Sequence, residues 1–240
     1  GTTGSPVTVL QDRANATERL LVTHRLFALM GRTLGSPTLL IAGNPIDSRA
    51  WGTAREHLKN RLLNVTVRSS FDLTPAKLRG ILSEIATGKY RFVIAYSSVF
   101  DVLSTLIESE GRKVRFPAIV PTAELVSPAQ RERWTSVLGA EIFELYGARE
   151  LLSIAGETED HAGLLVSGDL YHIEATDETG AVLPDGTPGI LSVTNLFERG
   201  MPLIRYQLGD VGVLGDGPPE SVYPFRRLRI THGRVLDVIL

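Results

Sequence analysis

From Thr38 to Leu145 the sequence alternates short apolar runs with amphipathic stretches of helical length, and no other pattern limits the fold so tightly. Thr38–Ala42, then residues 64–68, 91–95, 117–120 and 140–145, read as strands. Between them, residues 48–61, 75–86, 99–109 and 128–137 read as helices. Thr74 and Ser127 stand where N-caps belong, each followed by a proline (Pro75, Pro128) at the first helical position, where the missing N–H costs nothing. Strands separated by helices cannot be joined as hairpins. They require crossovers, and hence a mostly parallel sheet flanked by helices. An earlier helix is expected over residues 15–30, where Leu20, Leu21, Phe27 and Met30 recur at helical spacing before Gly31.

The texture changes near Ile154. Helical periodicity stops, and residues 164–166, 170–175, 189–195, 203–206 and 211–214 read as short strands. Turn clusters separate them, notably Asp177-Glu178-Thr179-Gly180 and Pro184-Asp185-Gly186-Thr187-Pro188-Gly189. The expected organisation is an α/β subdomain over 1–153 followed by a small antiparallel, barrel-like β subdomain over 154–240. With 240 residues the chain can bury one large core, or a core with a smaller appended unit. Its first residues are glycine-rich loop with no strand before them, and its last are an apolar run. That reads as a portion of a longer protein.

Composition excludes several function classes. The net charge of -2 offers no general basic footprint for nucleic acid. The absence of cysteine removes disulfides, thiolate metal sites and a cysteine nucleophile, and fits a cytoplasmic protein. No apolar run is long enough to span a bilayer. His24, His57, His161, His172 and His232 lack metal-ligand spacing. The cluster Arg226-Arg227-Leu228-Arg229 is either a solvated face or a contact for a phosphate.

Four segments carry chemistry. Gly1-Thr2-Thr3-Gly4-Ser5-Pro6 combines unobstructed backbone N–H groups with three hydroxyls and can wrap phosphate oxygens, or it is an ordinary turn. It lacks the Gly-Lys-Ser/Thr of a Walker loop. Tyr146-Gly147-Ala148-Arg149-Glu150 follows the last expected strand of the α/β sheet, beyond whose carboxyl ends ligands bind. There Tyr146 offers a face to a purine and Glu150 a hard oxygen ligand for Mg²⁺, unless the segment is only a strand-ending loop. Gly209-Asp210 marks a sharp turn out of a strand, with a carboxylate able to accept two ribose hydroxyls or simply to close a hairpin. Gly233-Arg234 through Asp237 is a turn near the end of the chain.

The order and spacing of these segments resemble the adenylate-forming superfamily of acyl-CoA synthetases, and within it the phenylacetate–CoA ligase family, which includes relatives linked to capsular polysaccharide biosynthesis. Gly1 through Pro6 resembles the family's phosphate loop, and Pro121-Thr122-Ala123-Glu124 its adenine-side loop. Tyr146 through Glu150 resembles its Tyr-Gly-x-x-Glu motif. Gly189-Ile190-Leu191-Ser192-Val193-Thr194-Asn195-Leu196, with Met201 through Asp210, resembles its G-E-L-V-V-T-N-L…M-P-L-I-R-Y-R-T-G-D stretch. Gly233-Arg234 resembles its hinge-side motif.

The resemblance implies a fragment of the large domain of an adenylate-forming enzyme. It implies ATP, Mg²⁺ and a small carboxylic acid, aryl or other organic acid, as ligands, with CoA as co-substrate; a homodimer is an open expectation. Thr2, Thr3, Gly4 and Ser5 would hold the β- and γ-phosphates. Ala123 and Glu124 would border the adenine, Tyr146 would pack on the adenine or border the acyl carboxylate, and Gly147 would line the nucleotide site. Glu150 would be the catalytic carboxylate and the metal ligand. Asp210 would take the ribose hydroxyls, Arg234 would lie near ribose and hinge, and Tyr96 and Ser97 would line the acyl pocket. Departures stand beside the matches: Gln207 and Leu208 replace the motif's Arg-Thr, Ile190 replaces Glu, and Gly217-Pro218-Pro219-Glu220 replaces a cysteine-rich stretch. Two other readings follow: an adenylating enzyme that serves a non-CoA acceptor in polysaccharide assembly, and a catalytically inert nucleotide-binding scaffold.

Overall fold

The computed structural model describes residues 8–43, 53–217 and 221–233. The chain divides into two compact units. One runs from Ala28 to Leu145, and the other joins the segment ending at Phe27 to the segment starting at Tyr146. The sequence pattern placed the break near 153/154. The difference arises because the first helix belongs with the later strands, and because the Tyr146 segment is already part of their sheet.

The 28–145 unit follows the expected alternation. Its elements are β1 (Thr38–Ala42), α2 (Ala54–Leu62), β2 (Val65–Ser69), α3 (Pro75–Ala86), β3 (Phe92–Tyr96), α4 (Ser97–Glu110), β4 (Ala118–Thr122) and α5 (Pro128–Leu138), after α1 (Arg13–Leu29), whose last two residues reach into this unit. The strands form a sheet in the order β2-β1-β3-β4, all pairs parallel. Both capping predictions hold. Thr74 accepts from the Lys77 N–H, and Ser127 and Gln130 form a reciprocal capping box, so α3 and α5 begin where their prolines predict. Gly139, at φ 61°, ends α5 in the left-handed conformation that a side chain resists.

Residues 140–145 are not a fifth strand. Ile142 makes one isolated parallel bridge to Ile119, and pairing stops there because the chain enters the other sheet at Leu145. The core of this unit gathers Leu39, Ile41, Val93 and Ile119 from the strands with Leu82, Ile85, Phe100, Leu103 and Leu138 from the helices. Trp134 lies at its centre with no exposed surface, its ring centroid 5.6 Å from that of Phe100.

The other unit contains most of α1 with β5 (Leu145–Ala148), β6 (Leu152–Gly156), β7 (Leu164–Val166), β8 (Tyr171–Thr176), β9 (Gly189–Asn195), β10 (Tyr206–Gly215) and β11 (Arg227–His232). These strands form a seven-stranded sheet in the order β5-β6-β7-β11-β10-β9-β8. The pairs β6–β7, β7–β11, β11–β10, β10–β9 and β9–β8 are antiparallel. Residues 203–206 and 211–214, expected as two strands, are instead a loop and one long strand that starts at Tyr206.

Two expectations from residue type change here. In α1, Leu20 and Leu21 are 54% and 57% exposed, while Asn15 and Arg19 are buried on the face that also carries Val22 and Leu26. The Arg226–Arg229 cluster is not a free basic patch. Arg226 pairs with Asp185, and Arg227 is buried, with Nη2 2.6 Å from Asp160 Oδ2. Arg227 and Leu228 at the start of the last strand are both buried while Arg229 is exposed, so the one buried guanidinium is the one that must find a carboxylate.

Candidate functional site

Within the 28–145 unit, the candidate residues sit together at the carboxyl ends of adjacent strands. The β3–β4 register sets Tyr96 opposite Thr122, so Ser97 lies beside the loop that leaves β4. Thr122 Oγ1 donates to the Ala95 carbonyl at 3.1 Å, tying the two strand ends. Ala123 adopts φ 72°, a left-handed conformation that costs a residue with a Cβ roughly 1–2 kcal/mol. Strain of this kind persists only where the surroundings impose it, and it gathers at ligand-binding turns. Ala123 and Glu124 are exposed. Ser97 has no exposed surface, and its hydroxyl donates to the Glu124 carbonyl at 3.5 Å. It therefore braces the loop from below.

Within the other unit, Tyr146 and Glu150, four residues apart, are each joined to distant residues, Asp210 and Tyr206 respectively. Tyr146 and Gly147 lie in β5, an edge strand of the antiparallel sheet, rather than in a loop beyond the parallel one. A Cβ on Gly147 would fall 1.9 Å from the Leu152 carbonyl oxygen, so the glycine is required by the close approach of β6. Arg149, Glu150 and Leu151 form the turn from β5 to β6, closed by a bond from the Leu151 N–H to the Ala148 carbonyl at 3.1 Å.

Asp210 does not sit in a hairpin turn. It lies in a bulge within β10: Gln207 pairs with Ser192 and Val211 with Ile190, leaving Leu208, Gly209 and Asp210 opposite Leu191 alone. Gly209 takes φ 84° to make this possible. A bulge re-aims the side chains it carries. Here the Asp210 carboxylate meets β5, and Tyr146 Oη donates to its Oδ2 at 2.8 Å. Four residues upstream, Tyr206 Oη donates to Glu150 Oε1 at 3.3 Å. Two tyrosine–carboxylate pairs thus join β5 and its turn to β10.

Residues that no motif singled out hold that turn. Arg19 Nη2 donates to the Arg149 carbonyl at 3.2 Å, Gln11 Nε2 to the Glu150 carbonyl at 3.3 Å, and Tyr171 Oη to the Leu151 carbonyl. Burial pulls the Arg19 guanidinium below its usual pKa, while Tyr171, Glu198 and Glu150 draw it back up. Burial also pushes the Tyr171 hydroxyl up to about 12, so it remains a donor. Nearby, Glu198 Oε1 accepts from the Gly200 N–H at 2.9 Å, and Asn195 Oδ1 from the Phe197 N–H at 3.0 Å, which orders the loop that leads into β10. The available signal was a polar helical stripe, Asp12, Asn15, Arg19 and Thr23, where an apolar one is normal.

The phosphate-loop candidates Thr2, Thr3, Gly4 and Ser5, and Arg234 with Asp237, lie outside the described residues. The donor set around Glu150 suits magnesium, which takes one or two protein carboxylates and fills its remaining positions with substrate phosphates and water. Among the described residues there is no group of three or more His, Asp or Glu side chains placed to hold an ion unaided.

No protein-family model matches the chain. The phenylacetate-coenzyme A ligase of Aromatoleum evansii is 32% identical over 122 residues, which is 49% of this chain and 27% of that protein. The same-named ligase of Pseudomonas putida is 33% identical over 107 residues, 43% of this chain and 24% of that protein. Among solved structures, a 2-hydroxyisobutyryl-CoA ligase in complex with 2-HIB-AMP and CoA superposes with a TM-score of 0.77 at 19% identity, over 97% of this chain and 50% of that one. Over these stretches the chain is similar to phenylacetate-coenzyme A ligases, and it shares the fold of the 2-hydroxyisobutyryl-CoA ligase. It spans about a quarter of the length of the curated ligases it matches. Of its departures from the family motif, Gln207 is exposed and Leu208 stands in the bulge beside Asp210. No helix among the described residues is long and apolar enough to cross a membrane.

Proposed function

We propose that the protein carrying this chain activates a carboxylic acid with ATP as an acyl-adenylate and then transfers the acyl group to CoA. In the first half-reaction a carboxylate oxygen forms a bond to the α-phosphorus, and the bond to pyrophosphate breaks. In the second, the CoA sulfur bonds to the acyl carbon, AMP leaves with the shared oxygen, and the thiol proton goes to solvent or to AMP. The observation that carries this reading is the convergence of Glu150 and Asp210, each held by a tyrosine, in a chain whose motif order is that of the ligases. Glu150 would contact magnesium, which would be held together with the nucleotide phosphates. When bound there, magnesium offsets the repulsion between two approaching anions. Asp210 accepts the ribose hydroxyls, and Tyr146 keeps its carboxylate aimed by donating to Oδ2. The strained Ala123–Glu124 turn borders the adenine through its backbone, and Tyr96 lines the acyl pocket.

The reading is tested by ATP–pyrophosphate exchange on the whole protein across a panel of aryl, aliphatic and hydroxy acids. Acid-dependent exchange with at least one acid is expected, followed by thioester formation when CoA is added. Exchange without thioester points to an amine or hydroxyl acceptor. No exchange, together with no MgATP binding by titration calorimetry, would sink the enzymatic reading in favour of a scaffold. Asp210→Ala is expected to weaken binding of ATP or AMP by about 10- to 100-fold, because hydrogen bonds to a charged group contribute roughly 1.5–3 kcal/mol. Calorimetric affinity within two-fold of the parent would remove Asp210 from the ribose site.

A further inference from the structure

Arg19 has no part in the chemistry proposed above, yet its charged side chain is buried. It is 2% exposed, and its Nε is buried without a hydrogen-bond partner. Burying a guanidinium with an unsatisfied donor is unfavourable unless its remaining contacts are used. The Arg19 contact falls on one of three successive carbonyls, those of Arg149, Glu150 and Leu151, and each of the three accepts from a different side chain, Arg19, Gln11 and Tyr171. Those donors come from α1, the segment before it and β8. A three-residue connection between β5 and β6 needs no such support to turn, and its carbonyls would otherwise hydrogen-bond to water. Pinning three consecutive carbonyls removes the peptide-plane rotations that would swing the side chain between them. That side chain is Glu150, whose carboxylate meets Tyr206 on β10.

We infer that Arg19 is a positioning residue for Glu150, fixing the Arg149–Glu150 turn so that the carboxylate is presented in one orientation. The inference rests on the reading of Glu150 as the magnesium contact. Arg19 touches neither substrate nor metal; it acts through the turn. Gln11 and Tyr171 share the task. Arg19 alone brings a fixed charge to it, and Tyr171, Glu198 and Glu150 favour that charge against the cost of its burial.

The test uses the whole protein with Arg19→Met, Arg19→Lys, Glu150→Gln and the Arg19→Met/Glu150→Gln double variant. Magnesium dependence of pyrophosphate exchange and amide hydrogen exchange are both read. In Arg19→Met the magnesium concentration for half-maximal exchange should rise about 10-fold, the lower end of the effect of groups that orient a metal ligand, with KM for the acid nearly unchanged. Arg19→Lys, which keeps the charge and one donor, should recover part of the loss. In the Glu150→Gln background Arg19→Met should add less than about two-fold, since an effect that passes through Glu150 cannot be additive with its removal. Protection of the amides at 149–152 should fall about 10-fold in Arg19→Met while that of β9 holds, as for a local opening. Equal losses in both backgrounds would show a general loss of fold and overturn the inference, as would unchanged protection at 149–152. If Glu150→Gln leaves the magnesium dependence untouched, the metal reading of Glu150 fails on its own, and the hydrogen-exchange result alone decides whether Arg19 sets the turn.

Discussion

Glu150→Ala is expected to lower ATP–pyrophosphate exchange by roughly 100- to 1,000-fold, the loss that follows removal of one group stabilising charge at a reaction centre. Two anions must meet in this reaction. At a separation of 4 Å and an effective dielectric of about 20, one such pair of unit charges repels by about 4 kcal/mol, or nearly three powers of ten in rate. A carboxylate that helps hold magnesium against the phosphates therefore controls most of a large barrier term. The geometry specifies the control. Tyr206→Phe deletes only the hydroxyl that donates to Glu150 Oε1, and should cost less than about 10-fold, the weight of one hydrogen bond. Exchange by Glu150→Ala within a few-fold of the parent would dismiss the metal assignment. A loss that excess magnesium restores would place Glu150 on binding rather than on the chemical step.

Trp134→Ala should destabilise the 28–145 unit by about 3–5 kcal/mol, the range for truncating a fully buried aromatic side chain. Trp134 has no exposed surface and packs on Phe100. Its Nε1 also donates to Asp101 Oδ1 at 2.9 Å, while Gln130 Nε2 donates to Oδ2 of the same carboxylate at 2.8 Å. The substitution thus opens a cavity and strips a partner from a carboxylate that joins α4 to α5. Trp134→Phe separates the two effects: it keeps most of the ring volume and should cost about 1–3 kcal/mol through the lost bond. Urea unfolding followed by far-ultraviolet circular dichroism gives both values. A cost below about 1 kcal/mol for the alanine variant would mean that the core collapses around the gap.

The legible part of the site is the part written in local chemistry. Tyr146, Glu150 and Asp210 were each readable as functional candidates, because a purine face, a hard oxygen ligand and a carboxylate beside a glycine depend on residue type and neighbours. Their settings were misread in two places. Gly209-Asp210 looked like a hairpin turn because glycine followed by aspartate is turn chemistry, yet the same positive φ serves a bulge inside a continuous strand. Residues 140–145 looked like a fifth parallel strand because they are apolar, yet one bridge to Ile119 is all they make before the chain joins the second sheet. Hydrophobicity reports burial and is silent on the choice of sheet.

The first helix shows the boundary most clearly. Its existence was evident from residues 15–30. Its buried face was not, since Leu20 and Leu21 face outward while Asn15 and Arg19 are covered. By itself the sequence determined the strand–helix alternation and the caps at Thr74 and Ser127, set by interactions within a few residues of the chain, and it singled out Glu150 and Asp210 as candidates by residue type. Only the tertiary structure decided that Arg19, Gln11 and Tyr171 close on three successive carbonyls beside Glu150, and that a bulge in β10 carries Asp210 to Tyr146. Those contacts join residues 20 to 139 positions apart. Their stability comes from burial and mutual hydrogen bonding after folding, and no local propensity records it.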